Sequence, residues 1–448
     1  MSDVHASKVR MLGFSLPGLG LNTLVTAVFV FLPALYVESR GLSTATVGLV
    51  FFLAKIIDII AAPIWGNFMD SYKTPWGRRR PWLLLSVPIL MTAVFFLFNP
   101  PEDVSIYYLF FALGLCYIGW DAWTISHTSW ALELSRDYDR RSRITSLLQV
   151  MSMLGAIATS MVPAVMEQFG TISHEEKTVA IGWAIMIILP LTAIICVLSV
   201  PERVTPNKPR ISFIKGLKIL RSNSALIRLL SANILISFST YFVQGLFLFF
   251  VSYTLRLQNW SGLILSSLLV GGLVGLPLWL WISQKLNKHA TMQLAMLSGA
   301  ITPVLLLLLP AESLYLSIFF FLIVGLNTSA NEFLPRTMIA DVCDKDHIES
   351  GSERMGLYYS LLQLSSKFAS GSGILIGFSF LTLFGFDPEL GMNNTEQSLD
   401  RLRYLIVALP AIAYGFVIVL MLKYPIDRKD QHEMRKIIEK REKLEANN

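Results

Sequence analysis

The sequence predicts an all-α membrane protein of twelve transmembrane helices in two six-helix bundles, and three observations predict it. Hydrophobic residues make up 54% of the chain and charged residues 15%, where soluble domains carry roughly 25% charged. Twelve stretches approach the ~20 apolar residues a helix needs to cross a bilayer. They divide six and six around a segment at 201–224 that holds Pro201, Pro206 and Pro209, a run of Lys and Arg, and one acid, Glu202. The expected organisation is therefore a first bundle over 1–200, a cytoplasmic linker over 201–224, a second bundle over 225–425 and a charged tail over 426–448.

Taken in order, span 1 (near 11–37) carries the amide Asn22 and is too long for the apolar core of a signal peptide, so no cleavable leader is expected. Span 2 (46–70) holds Lys55 and Asp58 and runs into the basic loop Gly77-Arg78-Arg79-Arg80-Pro81-Trp82, from which span 3 (82–98) starts. Span 4 (105–134) holds Asp121 and four large rings, Trp120, Trp123, His127 and Trp130. Span 5 (143–167) opens on Ser146-Leu-Leu-Gln149, and span 6 (179–200) qualifies on apolar length alone. Span 7 (226–253) begins beside Arg228, whose long stem can snorkel to the interface.

Span 8 (261–283) repeats the Pro63-Ile-Trp65 of span 2 as Pro277-Leu-Trp279. Span 9 (291–309) is again apolar, and span 10 (314–342) carries Asn327, Asn331 and Glu332. Span 11 (355–384) repeats the span 5 tetrapeptide as Ser360-Leu-Leu-Gln363 at the same offset and then places Lys367. Span 12 (402–423) closes the series. Two matches at one offset, with six spans per half, indicate parallel repeats.

The net charge of +6 is distributed as a membrane protein distributes it. With both termini on one side, the opposite loops hold five basic residues, Arg40, Lys177, Arg256, Arg401 and Arg403. That asymmetry places both termini in the cytoplasm, in a plasma (bacterial inner) membrane, and leaves no basic surface for nucleic acid. Cys116, Cys196 and Cys343 lack metal spacing and read as small core residues. No metal, cofactor or catalytic constellation is expected, and the chain is expected to be a monomer in the lipid bilayer. The tail, with Glu439-Lys440-Arg441-Glu442-Lys443, reads as a solvated helix or as a contact for anionic lipid.

Function is sought where charge lies inside the hydrocarbon, because each such charge costs at least about 2.5–3.5 kcal/mol. Counting about 1.5 Å per helical residue from the cytoplasmic ends, Asp58, Asp121, Lys367 and Glu332 fall roughly 16–21 Å into a core of about 30 Å. A common depth predicts one polar cavity at the repeat interface. Lys55 and Asp58, at i and i+3, share a helix face. They are either a self-neutralising pair that lets span 2 insert, or a carboxylate that carries a proton or cation with a lysine that tunes it. Trp123, His127 and Trp130 follow the i, i+4, i+7 rule; the indoles are expected either to stack on substrate or to form a packing ridge, and His127 to be either a proton relay or a hydrogen-bonded core residue. Asn22, Gln149 and Gln363 suit hydroxyl-rich ligands but also glue helices together.

These residues carry a resemblance. Gly66 to Asp70 with Gly77-Arg78-Arg79-Arg80 resembles the major facilitator loop motif, which implies that Asp70, Arg78, Arg79 and Arg80 latch the inner ends of the two halves. Asp58, the Arg-Arg-Arg-Pro-Trp run, Trp130-Ala-Leu-Glu-Leu with Asp137 and Asp139, and Leu334-Pro-Arg-Thr-Met-Ile-Ala-Asp341-Val-Cys-Asp344 with Arg354 to Gln363 and Lys367 are similar to the glycoside–pentoside–hexuronide:cation symporter family of melibiose permease-like transporters. The resemblance spans both halves. It implies a cation site at Asp58, a sugar and cation cavity bordered by Lys367, and stacking of sugar on Trp130. The chain departs from the pattern where the family's second span 2 carboxylate is Ala62 and its asparagine Ala61. The family's span 1 aspartate aligns with Asn22, its span 4 aspartate near Ser126, and its span 5 arginine with Gln149.

The expectation is therefore a cation-coupled symporter of a sugar or glycoside, with the proton favoured over sodium. Asp58, Lys55 and Asp121 would serve coupling, and Asn22, Trp123, His127, Trp130, Gln149, Glu332, Gln363 and Lys367 would serve substrate. The alternatives are a transporter of a lysolipid or organic anion on the same fold, and a non-transporting membrane sensor.

Overall fold

The computed structural model describes residues 8–437 except 73, 75, 135–137, 171, 201, 203–222, 351–353, 432, 435 and 436. The side chains of 8, 70, 132, 133, 138–142, 350 and 389 lie outside the description as well. Most of the expected linker and tail falls among these positions. The twelve expected spans are present as helices: α1 Val9–Ser39, α2 Thr44–Met69, α3 Arg80–Phe98, α4 Ile106–Ala131, α5 Arg143–Phe169, α6 His174–Ser199, α7 Ser224–Thr254, α8 Gln258–Lys285, α9 Lys288–Leu308, α10 Leu314–Glu349, α11 Met355–Leu383 and α12 Glu396–Met421. The first helix of each bundle ends in π-helical turns, Leu35–Ser39 in α1 and Phe250–Thr254 in α7. Pro63 lies inside α2 and Pro277 inside α8, as the repeat requires.

Helix α2 shows why these sequences settle in lipid. Leu49, Leu53, Ile56, Ile60 and Ile64 recur every three or four residues and are exposed. Phe51, Ala54, Lys55 and Asp58 turn the other way and are buried. In water the exposed stripe would be a liability; in a bilayer it is the solvated face.

We call the face carrying the start of α1 and the end of α12 the terminal side. There Gly13 lies against Ser199 at the end of α6, and Arg228 Nη1 donates to the Leu420 carbonyl at 3.1 Å. The tail's first turn is tied to the body, with Gln431 Nε2 2.8 Å from Asp341 Oδ2 and Arg428 Nη1 donating to the Lys285 carbonyl. Asp427 caps that turn, and the backbone N–H bonds it accepts from Asp430 and Lys429 hold its carboxyl below the usual range.

On the far side the helices begin on hydroxyl caps. Ser43, Ser105, Ser173 and Thr395 accept from backbone N–H groups at the starts of α2, α4, α6 and α12, satisfying donors the helix cannot. The two bundles also meet here. Ser160 bonds Ser266 at 2.8 Å, Thr44 bonds Thr382 at 2.7 Å, and Tyr253 Oη donates to Glu38 Oε1 at 2.8 Å. Glu167 Oε1 of α5 accepts from Lys177 Nζ of α6 and from Ser261 Oγ of α8, both at 2.8 Å. Lys177, expected in an outer loop, is thus a buried residue of the first turn of α6.

Within the second bundle α8 and α10 touch backbone to backbone. A Cβ added at Gly325 would collide with the Leu268 carbonyl, so a small residue is what lets the helices approach. Gly325→Val is expected to lower stability by about 1–3 kcal/mol through overpacking, read as a lower thermal midpoint in detergent; an unchanged midpoint would show that the contact can relax.

Candidate functional site

The site begins with three side chains from three helices. Lys367 Nζ of α11 lies 2.8 Å from Asp58 Oδ1 of α2 and 2.5 Å from Asp121 Oδ1 of α4. It also donates to the Asp58 carbonyl at 3.3 Å. Lys55 Nζ sits 2.8 Å from Asp58 Oδ2. Both aspartates are buried, with side chains 2% and 3% exposed, whereas Lys367 keeps 21%. Two ammonium and two carboxylate groups alternate in sign and sum to zero, which is the condition for holding so many charges away from water. Because α11 belongs to the second bundle, the Lys367 bridges cross between bundles. Asp121 Oδ2 is buried and accepts no hydrogen bond among the described residues.

We call the exposed polar region between this cluster and the terminal side the vestibule. Tyr359, Gln363 and Lys367 stand at i, i+4, i+8 on one face of α11, and Gln363 is exposed. Facing them, Gln149 of α5 donates Nε2 to Glu332 Oε2 at 3.0 Å and accepts from Arg336 Nη1 at 2.9 Å. Tyr359 Oη donates to the Arg336 carbonyl at 3.2 Å. Glu332 and Arg336 are half or more exposed, at 57% and 50%, and lie 3.7 Å apart. Among the described residues the bundles meet on the far side through buried pairs and here through exposed polar groups, so the structure is closed on the far side.

Several expectations are corrected. Glu332 does not join the Asp58–Asp121–Lys367 cluster. Depth is one coordinate, and α10 faces α5 whereas the cluster lies where α2, α4 and α11 meet. Trp123, His127 and Trp130 do not line the vestibule. His127 Nε2 is 2.8 Å from the Phe14 carbonyl, Phe14 packs on the rings of His127 and Trp130 at 4.8 and 5.1 Å, and Trp123 is fully buried. At 100° per residue a position two along a helix points the opposite way. With Asp121 turned to the site, residues 123, 127 and 130 must turn to α1. Asn22 donates Nδ2 to the Ser152 carbonyl at 2.7 Å and joins α1 to α5.

The loop motif is also tied differently. Arg80 Nη2 donates to the Val197 and Val200 carbonyls at the end of α6, within the first bundle, where the helix dipole favours a cation. Arg78 and Arg79 are buried, and the Asp70 side chain lies outside the described residues.

Reading the sequence missed four residues. Arg336 was passed over inside a motif. Tyr117 and Trp120 share the Asp121 face of α4 by spacing, which was the available signal. Glu202 accepts the backbone N–H groups of Arg78 and Arg79 at 2.6 Å and of Arg80 at 3.1 Å. It closes over Gly77, whose φ of +124° suits glycine.

A family model described as MFS/sugar transport protein matches residues 13–428. The isoprimeverose transporter of Lactiplantibacillus pentosus is 26% identical over 95% of this chain and 91% of its own. The sodium-dependent lysophosphatidylcholine symporter 1 of Homo sapiens is 23% identical over 87% of this chain and 78% of its own. Among solved structures, a bacterial homolog of the human lysosomal transporter Spinster, inward-facing and unoccupied, matches with a TM-score of 0.68 at 17% identity, covering 94% of this chain and 98% of that one. That likeness is one of fold.

Proposed function

We propose, since the chain belongs to the MFS/sugar transport protein family, that it is a symporter coupling the movement of a sugar or glycoside to that of a proton by alternating access. The observation that carries this reading is the Lys367 ammonium from one bundle held by Asp58 and Asp121 of the other. A proton delivered to Asp121 removes one of the two charges that hold Lys367. The inter-bundle bridge weakens, and the balance between the two access states shifts by the difference in their interaction free energies. Asp121 Oδ2 is the oxygen open to that proton.

Substrate enters the vestibule, where Gln149, Glu332, Arg336 and Gln363 present donors and acceptors together. Carboxylate, amide and guanidinium groups can each bond neighbouring hydroxyls, and Lys367 at the floor links substrate to coupling ion. The terminal side is then the cytoplasmic side of a plasma membrane, with the protein working as a monomer. The proton is preferred because Ala61 and Ala62 stand where the resemblance implies sodium ligands.

Uptake into proteoliposomes tests the reading. One unit of imposed pH gradient supplies about 1.4 kcal/mol, enough for roughly tenfold accumulation at one proton per sugar. Isoprimeverose or a glucuronide accumulating with that gradient is the expected result. Accumulation driven by sodium and indifferent to pH would overturn the coupling assignment, and uptake of lysophosphatidylcholine in place of any glycoside would overturn the substrate class.

A further inference from the structure

Lys55 differs from Lys367 in what surrounds its charge. Its ammonium lies over the Tyr117 ring at 3.8 Å, the Trp120 ring at 5.0 Å and the Phe29 ring at 5.3 Å. On the remaining side it meets Asp58 Oδ2 at 2.8 Å. The side chain is only 6% exposed. Its stem passes Gly371 of α11, where an added Cβ would stand 3.0 Å from the Lys55 Cβ. Three ring faces and one carboxylate are the parts of a seat for a monovalent cation, since ring quadrupoles attract a desolvated cation strongly.

We propose that the Lys55 ammonium is a tethered cation filling a monovalent-cation seat built from Phe29, Tyr117, Trp120 and Asp58, and that with the ammonium removed this seat takes a free alkali cation or small primary ammonium ion. The inference rests on the proton reading above, and supplies its reason: a cation covalently held by α2 cannot be released, so the ion that moves is a different one. Two further oxygens belong to the same face of α4. Tyr117 Oη is fully buried without a hydrogen-bond partner among the described residues, and so is Asp121 Oδ2 one helical turn further along α4. Asp58 Oδ2, 2.8 Å from the ammonium, is the hard oxygen ligand that an alkali ion would take once the ammonium has gone. Lys367 does not compete for this place, because its nitrogen is committed to the Oδ1 atoms of both aspartates.

The test is ligand-dependent stabilisation of the purified full chain, which needs neither substrate nor transport. Wild type, Lys55→Met and Lys55→Gln are titrated with sodium, lithium or methylammonium chloride, with N-methyl-D-glucamine chloride holding the ionic strength. Methionine keeps the length of the stem without its charge; glutamine keeps a donor for Asp58. The wild-type midpoint is expected to be flat. At least one variant should show a saturable rise of about 1–2 °C at tenfold excess over its dissociation constant. A saturable sodium, lithium or methylammonium response in the wild type overturns the proposal whatever the variants do, as does the failure of both folded variants to respond to any of the three ions. Failure of proton-driven uptake, with this pattern intact, would instead count against the function proposed above.

Discussion

Replacing Lys367 with methionine is expected to abolish uphill uptake, from about tenfold accumulation per pH unit to none, while exchange of substrate across the membrane persists. The reason lies in what the ammonium holds. It bonds one oxygen of each aspartate across the bundle interface, and without it Asp58 keeps Lys55 while Asp121 is buried with no counter-ion. Leaving one member of a buried pair uncompensated costs about 3–5 kcal/mol, so the single variant should also be less stable. Lys367→Met combined with Asp121→Asn removes both charges. It should recover much of that stability and recover no coupling, which separates the transport role from the folding role. Lys367→Arg retains the charge, but its longer, planar fork sets its donors in a different geometry from the compact ammonium, so partial coupling is expected. Gradient-driven accumulation, counterflow and thermal midpoints measured on the same preparations decide the matter. Uphill uptake retained by Lys367→Met would remove Lys367 from the coupling machinery.

The parts of this arrangement differ in how far they can be read from residues alone. Twelve spans are legible because apolar length is a signal along one dimension, and Asp58, Asp121 and Lys367 are legible because charge in hydrocarbon is rare. Their meeting also required the azimuth of each helix, which depth does not supply; Glu332 was drawn into the same cavity for that reason. The ring face of α4 was misassigned although the spacing held the answer: residues 121 and 123 point apart, so Asp121 and Trp123 cannot both face one cavity, while Tyr117 and Trp120 can face it with Asp121. Lys177 was placed in a loop because a charge near the end of an apolar run shortens the apparent span, to 179–200 against the helix His174–Ser199. Its partner Glu167 is ten positions away on another helix, and no periodicity links them. Glu202 stood out only as a lone acid among bases; the backbone amides it binds have no signature in side-chain chemistry.

Glu167→Ala is expected to unlock the far side. The Glu167 and Lys177 side chains are 0% and 1% exposed, and the carboxylate also accepts from Ser261 Oγ at 2.8 Å and from the Gly262 N–H at 3.2 Å. The α-helical part of α8 starts at Ser261, and Trp260 before it makes no side-chain cap bond. Glu167 therefore supplies, from the other bundle, what Ser43 and Ser173 supply locally to α2 and α6. Among the described residues, truncation leaves Lys177 buried with only the Gln258 carbonyl, 2.8 Å away, again a loss of about 3–5 kcal/mol. That loss falls on the far-side-closed state alone, because once the bundles part Lys177 can reach water. The equilibrium should then move towards far-side opening by about two to three powers of ten. Thr44→Cys reports it, since Thr44 is buried in this state and bonds Thr382 across the seal, and the three native cysteines are buried. An impermeant maleimide should label that cysteine at least tenfold faster with Glu167→Ala. Glu167→Gln, which keeps an acceptor for α8 and loses the charge on Lys177, should fall between the two. Equal labelling with and without Glu167 would mean that hydroxyl pairs such as Ser160–Ser266, and not this buried ion pair, keep the far side shut.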